Sequence, residues 1–246
     1  MSKVGVLLSI LSFMGEATVR RVDFGYFVRP SEETGTGMAR VEPCLGYLVG
    51  HPDGMLLFDT GMGAHPDVDA HYRPRRRPLA TALDDAGARL DEITLAANCH
   101  LHFDHCGGNP LLVGRPVFTQ ATELDNARRT KDYTLPELID PAGTHYEQLT
   151  GEAEILSGVL LIPTPGHTAG HQSLVVRLPD GSVIIAGQSH DTATAYGADV
   201  LAWRAHRDDH PQPLPVPSAW LDRLQQLDPA RVMFAHDHAV WERAVG

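Results

Sequence analysis

An α/β fold of stacked strands with covering helices is what this sequence predicts, and three observations carry the expectation. Short apolar runs of strand length recur along the chain, segments with helical apolar spacing stand between them, and three of the strand-like runs break directly into histidine. The chain has 246 residues, which exceeds one average domain. Since α/β folds of roughly 200–250 residues routinely form one unit around a large core, a single domain over residues 1–246 is expected.

The elements follow in order. Residues 4–13, after Lys3, superficially look like a signal-peptide core, but no small-x-small cleavage site follows and the run is read as a strand. Residues 45–49 and 55–58 flank His51-Pro52-Asp53-Gly54 and read as a hairpin. Arg73 and Arg75-Arg76-Arg77, interrupted by Pro74 and followed by Pro78, read as a solvated helix entry. Residues 78–86 have helical spacing through Leu79, Leu83 and Ala86 and stop at Gly87. Residues 93–97, 159–162, 173–176, 182–186 and 232–234 are apolar and read as strands. Residues 190–217 are polar and Pro-rich and read as a surface excursion with few core residues. Ser218 is placed as the cap of a last helix with Leu221, Leu224 and Leu227 on its apolar face.

Chemistry concentrates where strands end. After the run 93–97 comes His100-Leu101-His102-Phe103-Asp104-His105, three imidazoles and a carboxylate within six residues. Neutral imidazole and carboxylate suit zinc and its first-row neighbours, and a strand-to-loop break lets several of them point into one pocket. The Pro-Gly turn of Thr164-Pro165-Gly166-His167-Thr168-Ala169-Gly170-His171 projects His167 from a second strand end, and His236-Asp237-His238 follows a third.

Bulk properties narrow the function classes. A net charge of −11 argues against nucleic acid, whose groove needs a basic footprint. No stretch is long enough to span a membrane. Cys44, Cys99 and Cys106 form no disulfide framework, which fits a reducing cytoplasm, and Cys99 and Cys106 beside the metal motif are read as small packing residues. There is no Gly-x-Ser-x-Gly elbow for a serine nucleophile.

These motifs, together with Phe58-Asp59-Thr60-Gly61-Met62-Gly63, HLHFDHCGGN from His100, TPGHTAGHQS from Thr164 and FAHD from Phe234, resemble the metallo-β-lactamase-fold superfamily nearly end to end. Within it the wording is most similar to the N-acyl-homoserine lactone lactonases. The resemblance implies a four-layer αββα sandwich with two metals, usually zinc, at one edge between the sheets. His100, His102 and His167 would hold the first metal, and Asp104, His105 and His236 the second. Asp59 would orient a coordinating imidazole through its other ring nitrogen; a capping role in the Asp-Thr-Gly turn is compatible with that.

One position departs from the pattern. Where the family has a bridging aspartate, this chain has Gln188 in Gly187-Gln188-Ser189-His190-Asp191. An amide offers one neutral oxygen and no charge to offset two cations, so the second metal is expected to bind less tightly. Three arrangements are open: Gln188 as a weak ligand to one metal, His190 or Asp191 swinging in, or a site working with one metal. The family also tends to carry a tyrosine three residues after the bridging aspartate, where this chain has Asp191; Tyr196 is a candidate to supply the missing donor to the substrate carbonyl.

The expected function is opening of a lactone ring in a small-molecule substrate, by implication an acyl-homoserine lactone. Metal-acidified water, its pKa lowered from 15.7 to roughly 7, would attack, and Asp104 and Asp191 are the candidate catalytic side chains. A thioester hydrolase of the glyoxalase II type and a catalytically weakened metal-binding or ligand-sensing protein are the alternatives.

Overall fold

The structure, a computed structural model, describes residues 17–131, 133–208 and 210–243; the strand expected over residues 4–13 lies outside them. The first sheet is built from β1 (Thr18–Arg29), β2 (Arg40–His51), β3 (Gly54–Phe58), β4 (Arg75–Arg76), β5 (Leu95–Ala97), β6 (Pro116–Gln120) and β7 (His145–Leu149), in the order β4-β1-β2-β3-β5-β6-β7. The second contains β8 (Ala153–Leu156), β9 (Val159–Pro163), β10 (Gln172–Leu178), β11 (Gly181–Ile185), β12 (Pro229–Met233) and β13 (Trp241–Glu242), in the order β13-β12-β11-β10-β9-β8. Strands joined by tight turns pair antiparallel, as β2 and β3 do across residues 51–54. The β3–β5, β5–β6, β6–β7 and β11–β12 pairs are parallel and need crossovers.

Helices α1 (Pro66–Tyr72), α2 (Leu79–Asp85), α3 (Ala121–Arg129), α4 (Pro136–Ile139), α5 (Ala193–Arg207) and α6 (Leu221–Gln225) complete the layers. Side-chain alternation along the strands sorts the core into three sets. Leu45, Tyr47 and Val49 of β2 meet Leu161, Leu174, Val176 and Ile185 between the sheets. The opposite face of the first sheet, with Cys44 and Leu48, packs on Leu79 and Leu83 of α2. On the outside of the second sheet, Leu160, Ile162, Val175 and Ile184 pack on Tyr196 and Val200 of α5 and Leu221 and Leu224 of α6. Helix, sheet, sheet, helix is the four-layer αββα sandwich that the sequence predicts.

Three local expectations change. Residues 190–217 do not form a coreless excursion: α5 runs through them, capped by Thr192, whose hydroxyl accepts from the Ala195 N–H, and Tyr196 and Val200 are fully buried. Its apolar stripe of Tyr196, Val200 and Trp203 has helical spacing but is diluted by Ala and Gly and followed by prolines. Ser218 takes part in the α6 entry through its carbonyl, which accepts from the Leu221 N–H, while Trp220 occupies the cap position and its indole N–H donates to the Pro165 carbonyl instead of capping the helix. Arg75 and Arg76 form an edge strand against Gly25 and Tyr26 before the α2 entry. Arg76 holds Asp69 and the Gly63 carbonyl, and Arg77 holds Asp23 and Asp85, so both guanidiniums are paired within the fold.

Candidate metal centre

Every expected imidazole and carboxylate ligand sits just past a strand end at one edge of the two sheets. β5 ends at Ala97 before His100, β9 at Pro163 before His167, and β12 at Met233 before His236. Backbone bonds between the sheets fasten this edge: the Gln172 N–H donates to the Cys99 carbonyl at 2.8 Å, and the Leu45 N–H to the Ala235 carbonyl at 2.9 Å. The side chains converge as two triads. His102 Nδ1 lies 2.9 Å from His100 Nε2 and 3.2 Å from His167 Nε2. His105 Nε2 and His236 Nε2 are 3.3 Å apart, each 3.4 Å from Asp104 Oδ2.

The other ring nitrogens show which atoms are left to coordinate. His236 Nδ1 has the Pro43 carbonyl at 2.9 Å, and a carbonyl only accepts, so Nδ1 carries the proton and Nε2 presents its lone pair. His105 Nδ1 likewise donates to Asp59 Oδ2 at 3.0 Å. His236 thus turns the lone pair of Nε2 toward His105 Nε2 beside the Asp104 carboxylate, an arrangement that a divalent cation completes by displacing the His105 Nε2 proton. The nitrogens of the first triad converge as tightly. Burial keeps these rings in the neutral ligand form, lowering His102 to about 4 and His167 to about 3, with His100 well below its usual range. His105 is the exception: burial would lower it too, but the Asp104 and Asp59 carboxylates pull it well above the usual value. Burial raises Asp104, yet the His105 and His236 rings win and hold it ionised.

A buried polar scaffold holds the loop. Asp59 sits in the left-handed region at φ 61°, a strained conformation that aims one carboxylate oxygen at His105 and the other at the Cys99 N–H, 2.8 Å away. Asn98 donates to the His105 carbonyl, Asn109 to the Asn98 side-chain oxygen and Thr60 to Asn109, each at 2.8 Å. Gly107 is required by close approach, because a Cβ there would lie 2.0 Å from the Gly63 nitrogen. Beside the first triad opens a cleft of about 620 Å³ whose lining includes His102, Phe103, Tyr72, Tyr133, Leu135, His65 and His71. Tyr72 stacks on Phe103 at 5.0 Å, and Tyr133 stands 4.9 Å from the His102 ring, so one wall is aromatic.

The Metallo-beta-lactamase superfamily model matches residues 39–236, most of the chain. The chain belongs to that superfamily. Among curated relatives, an N-acyl homoserine lactonase of a Bacillus species is 32% identical over 148 residues, 55% of this chain and 58% of its own. The N-acyl homoserine lactonase AiiA of Bacillus thuringiensis subsp. kurstaki is 32% identical over 157 residues, 58% and 62% of the two chains. The chain spans less than two thirds of the length of these relatives. Among solved structures, an N-acyl homoserine lactone hydrolase with N-hexanoyl-L-homoserine bound at its catalytic metal center has a TM-score of 0.66 at 24% identity, covering 91% of this chain and 94% of that one. AidC, a dizinc quorum-quenching lactonase in complex with a product, has a TM-score of 0.65 at 17% identity, covering 95% and 92%. These structural likenesses show the superfamily fold.

Against the set of residues that the superfamily resemblance implies, the two triads come together and the remaining candidates do not all follow. Gln188 is buried, its backbone N–H donating to His171 Nε2 at 3.1 Å, and its side-chain amide makes no hydrogen bond to another described residue. Neither proposed substitute swings in: His190 pairs with Asp199 at 3.2 Å, and Asp191 with Arg40 at 2.7 Å. Arg40 also holds the buried Glu42, which Arg29 grips through two bonds, so Asp191 ends an ion network on β1 and β2. Burial raises the Asp191 carboxyl and the Arg40 contact lowers it by more, keeping it ionised. Tyr196 cannot reach a substrate carbonyl: its ring is fully buried against Phe234 and Trp241, and its hydroxyl accepts from Gln225. Cys99 and Cys106 are buried as expected, but Cys99 Sγ also lies 3.1 Å from His100 Nδ1, behind the coordinating nitrogen.

Two functional partners escape the sequence reading. His171 is buried, with Nδ1 donating to the Thr164 carbonyl at 3.1 Å and Nε2 accepting from Gln188, so it hangs one site segment from another. Its only signal in the sequence is its place four residues after His167. Glu123, fully buried on α3, accepts from the Leu101 N–H and the Thr168 hydroxyl. A single glutamate on a short helix carries no sequence signal for that role.

Proposed function

We propose that this chain is a metal-dependent hydrolase that opens the lactone ring of N-acyl-homoserine lactones and so quenches quorum signals. The observation that carries the reading is the pair of neighbouring ligand triads, with His102 of the first lining a partly aromatic cleft, in a chain whose curated relatives include N-acyl homoserine lactonases. His100, His102 and His167 would hold one ion and Asp104, His105 and His236 the other. Two zinc ions there would supply Lewis acidity toward the substrate carbonyl and acidify water near neutral pH.

The chain's own residues would do the rest. Phe103 and Tyr72 would hold the acyl chain and exclude water from one side. Opening a lactone leaves a tethered alkoxide that needs a proton; Asp104, ionised at rest, would take up the proton released by the attacking water and pass it to that alkoxide. Asp191, held by Arg40, would be the second catalytic carboxylate. The neutral Gln188 would leave the second ion more weakly held. One catalytic domain in a cytoplasmic setting is part of the reading, supported by the three free, buried cysteines; among the described residues no helix is long and apolar enough to cross a membrane.

The test is a substrate panel on zinc-loaded protein: acyl-homoserine lactones of several chain lengths, simple γ-lactones and S-acyl glutathione. The highest kcat/KM is expected on acyl-homoserine lactones. A decisive preference for the thioester would overturn the lactonase reading, and no turnover of any ester with both metals in place would replace it with a binding protein.

A further inference from the structure

Glu123 is a carboxylate in the wrong place for an ordinary surface helix. It is fully buried, and each of its oxygens is occupied. Oε1 accepts from the Leu101 N–H at 2.8 Å and from the Tyr133 hydroxyl at 2.6 Å, and Oε2 accepts from the Thr168 hydroxyl at 2.7 Å. All three donors are neutral, so the carboxylate has no cation in hydrogen-bond contact. A buried carboxyl group is kept only where its hydrogen bonds are satisfied, so these three donors fix its position.

The donors also fall in a pattern. Leu101 stands between His100 and His102, and Thr168 follows His167, so one carboxylate ties together both segments that carry the first triad. Tyr133, the third donor, presses its ring against His102. None of these bonds reaches the segment that carries His236. The backbone confirms how close the two parts are: a Cβ on Gly170 would lie 2.3 Å from the Glu123 nitrogen, so only glycine lets the His167 loop dock against α3.

We propose that Glu123 is the positioning residue of the first metal site, clamping the loops of His100, His102 and His167. The second site lacks such a clamp from Glu123 and faces the neutral Gln188. The two sites are therefore unequal, and the first triad loads before the second.

The experiment is titration of the metal-free protein with cadmium, read by cadmium-113 NMR, which separates an all-nitrogen site from one containing a carboxylate. It is run on the wild type, Glu123→Ala, Glu123→Gln and Thr168→Val, with thermal melting of each metal-free protein alongside. In the wild type the all-nitrogen resonance should saturate first. Glu123→Ala and Thr168→Val should weaken that site about 10–100-fold, the usual effect of losing a partner that orients ligands, while the other site keeps its affinity. Glu123→Gln should recover most of the loss, because its amide oxygen can accept from Leu101 and its NH2 can donate to the Thr168 oxygen. Should Glu123→Ala not fold, Thr168→Val, which removes only the tie to the His167 loop, decides alone. Equal weakening of both sites in step with melting temperature, or unchanged first-site affinity, would overturn the proposal. No substrate enters the measurement, so its failure is separate from failure of the lactonase reading.

Discussion

At the scale of single residues, the centre depends on which proton each imidazole carries. Asp59 fixes that for His105 by accepting from Nδ1, which leaves Nε2 to face His236 and Asp104. Asp59→Asn removes one acceptor and allows the amide to donate instead, which favours the tautomer with a protonated, non-coordinating Nε2. The expected result is a fall of about 10–100-fold in affinity at the Asp104, His105 and His236 site, read by chelator competition, with the fold preserved by circular dichroism. Unchanged affinity would mean that Asp59 only caps its turn. Gln188 is the opposite case, a missing charge. Gln188→Asp should tighten the second metal, because a carboxylate can contact both cations and offset their repulsion. Activity need not rise with it. If the wild type already resists chelation as well as the variant, the idea that Gln188 weakens the site fails.

At the scale of elements, each candidate ligand is delivered by a strand end, and tight turns then decide where it points. The turn after His105 passes so near the 61–63 segment that Gly107 has no room for a methyl group. Its obstacle is backbone, which cannot rotate away as a side chain would. Gly107→Ala should therefore cost at least the 1–3 kcal/mol typical of overpacking and should lower metal content, since Asp104 and His105 stand on the same loop. Denaturant unfolding with metal quantification checks this, and a variant as stable and metal-rich as the wild type would show that the turn can yield. Helix α5 shows how an element hides from pattern reading. Its buried positions, Tyr196 and Val200, are spaced for a helix, but the alanines, glycine and following prolines around them suggest loop.

At the scale of the whole molecule, the cluster of buried imidazoles makes stability depend on pH. Burial holds His100, His102, His167, His171 and His236 below the ordinary imidazole value, His102 at about 4 and His167 at about 3. In the unfolded chain these rings take up protons near pH 6.5, so as pH falls from there toward 4 the unfolded state binds more protons and gains on the folded one. His105, raised in the folded state, acts in the other direction: its share is present below pH 6.5 and is lost as pH climbs through its folded value. The lowered rings outnumber it. Metal-stripped protein should melt at a lower temperature at pH 5 than at pH 7, and the loss should be steeper with metal bound, because coordination requires the neutral ring. A higher melting temperature at pH 5 for the stripped protein would reverse this assignment.

The amino-acid order by itself determined the layered α/β architecture and marked the six imidazole and carboxylate candidates that the family resemblance sorts into two sites, because both are written in local terms. Apolar periodicity marks the strands, and His100, His102, Asp104 and His105 lie within one loop, with His167 and His236 each announced by the strand before it. The departure at Gln188 was legible only against the family pattern. Only the tertiary structure decided what supports these groups. Glu123 meets Leu101 and Thr168 across 22 and 45 residues, His171 meets Gln188 across 17, and Asp191 meets Arg40 across 151. Such bonds join polar groups of segments far apart in the chain, and no spacing rule in one strand or helix records which partner the packing of two sheets and their covering helices will bring within hydrogen-bond distance.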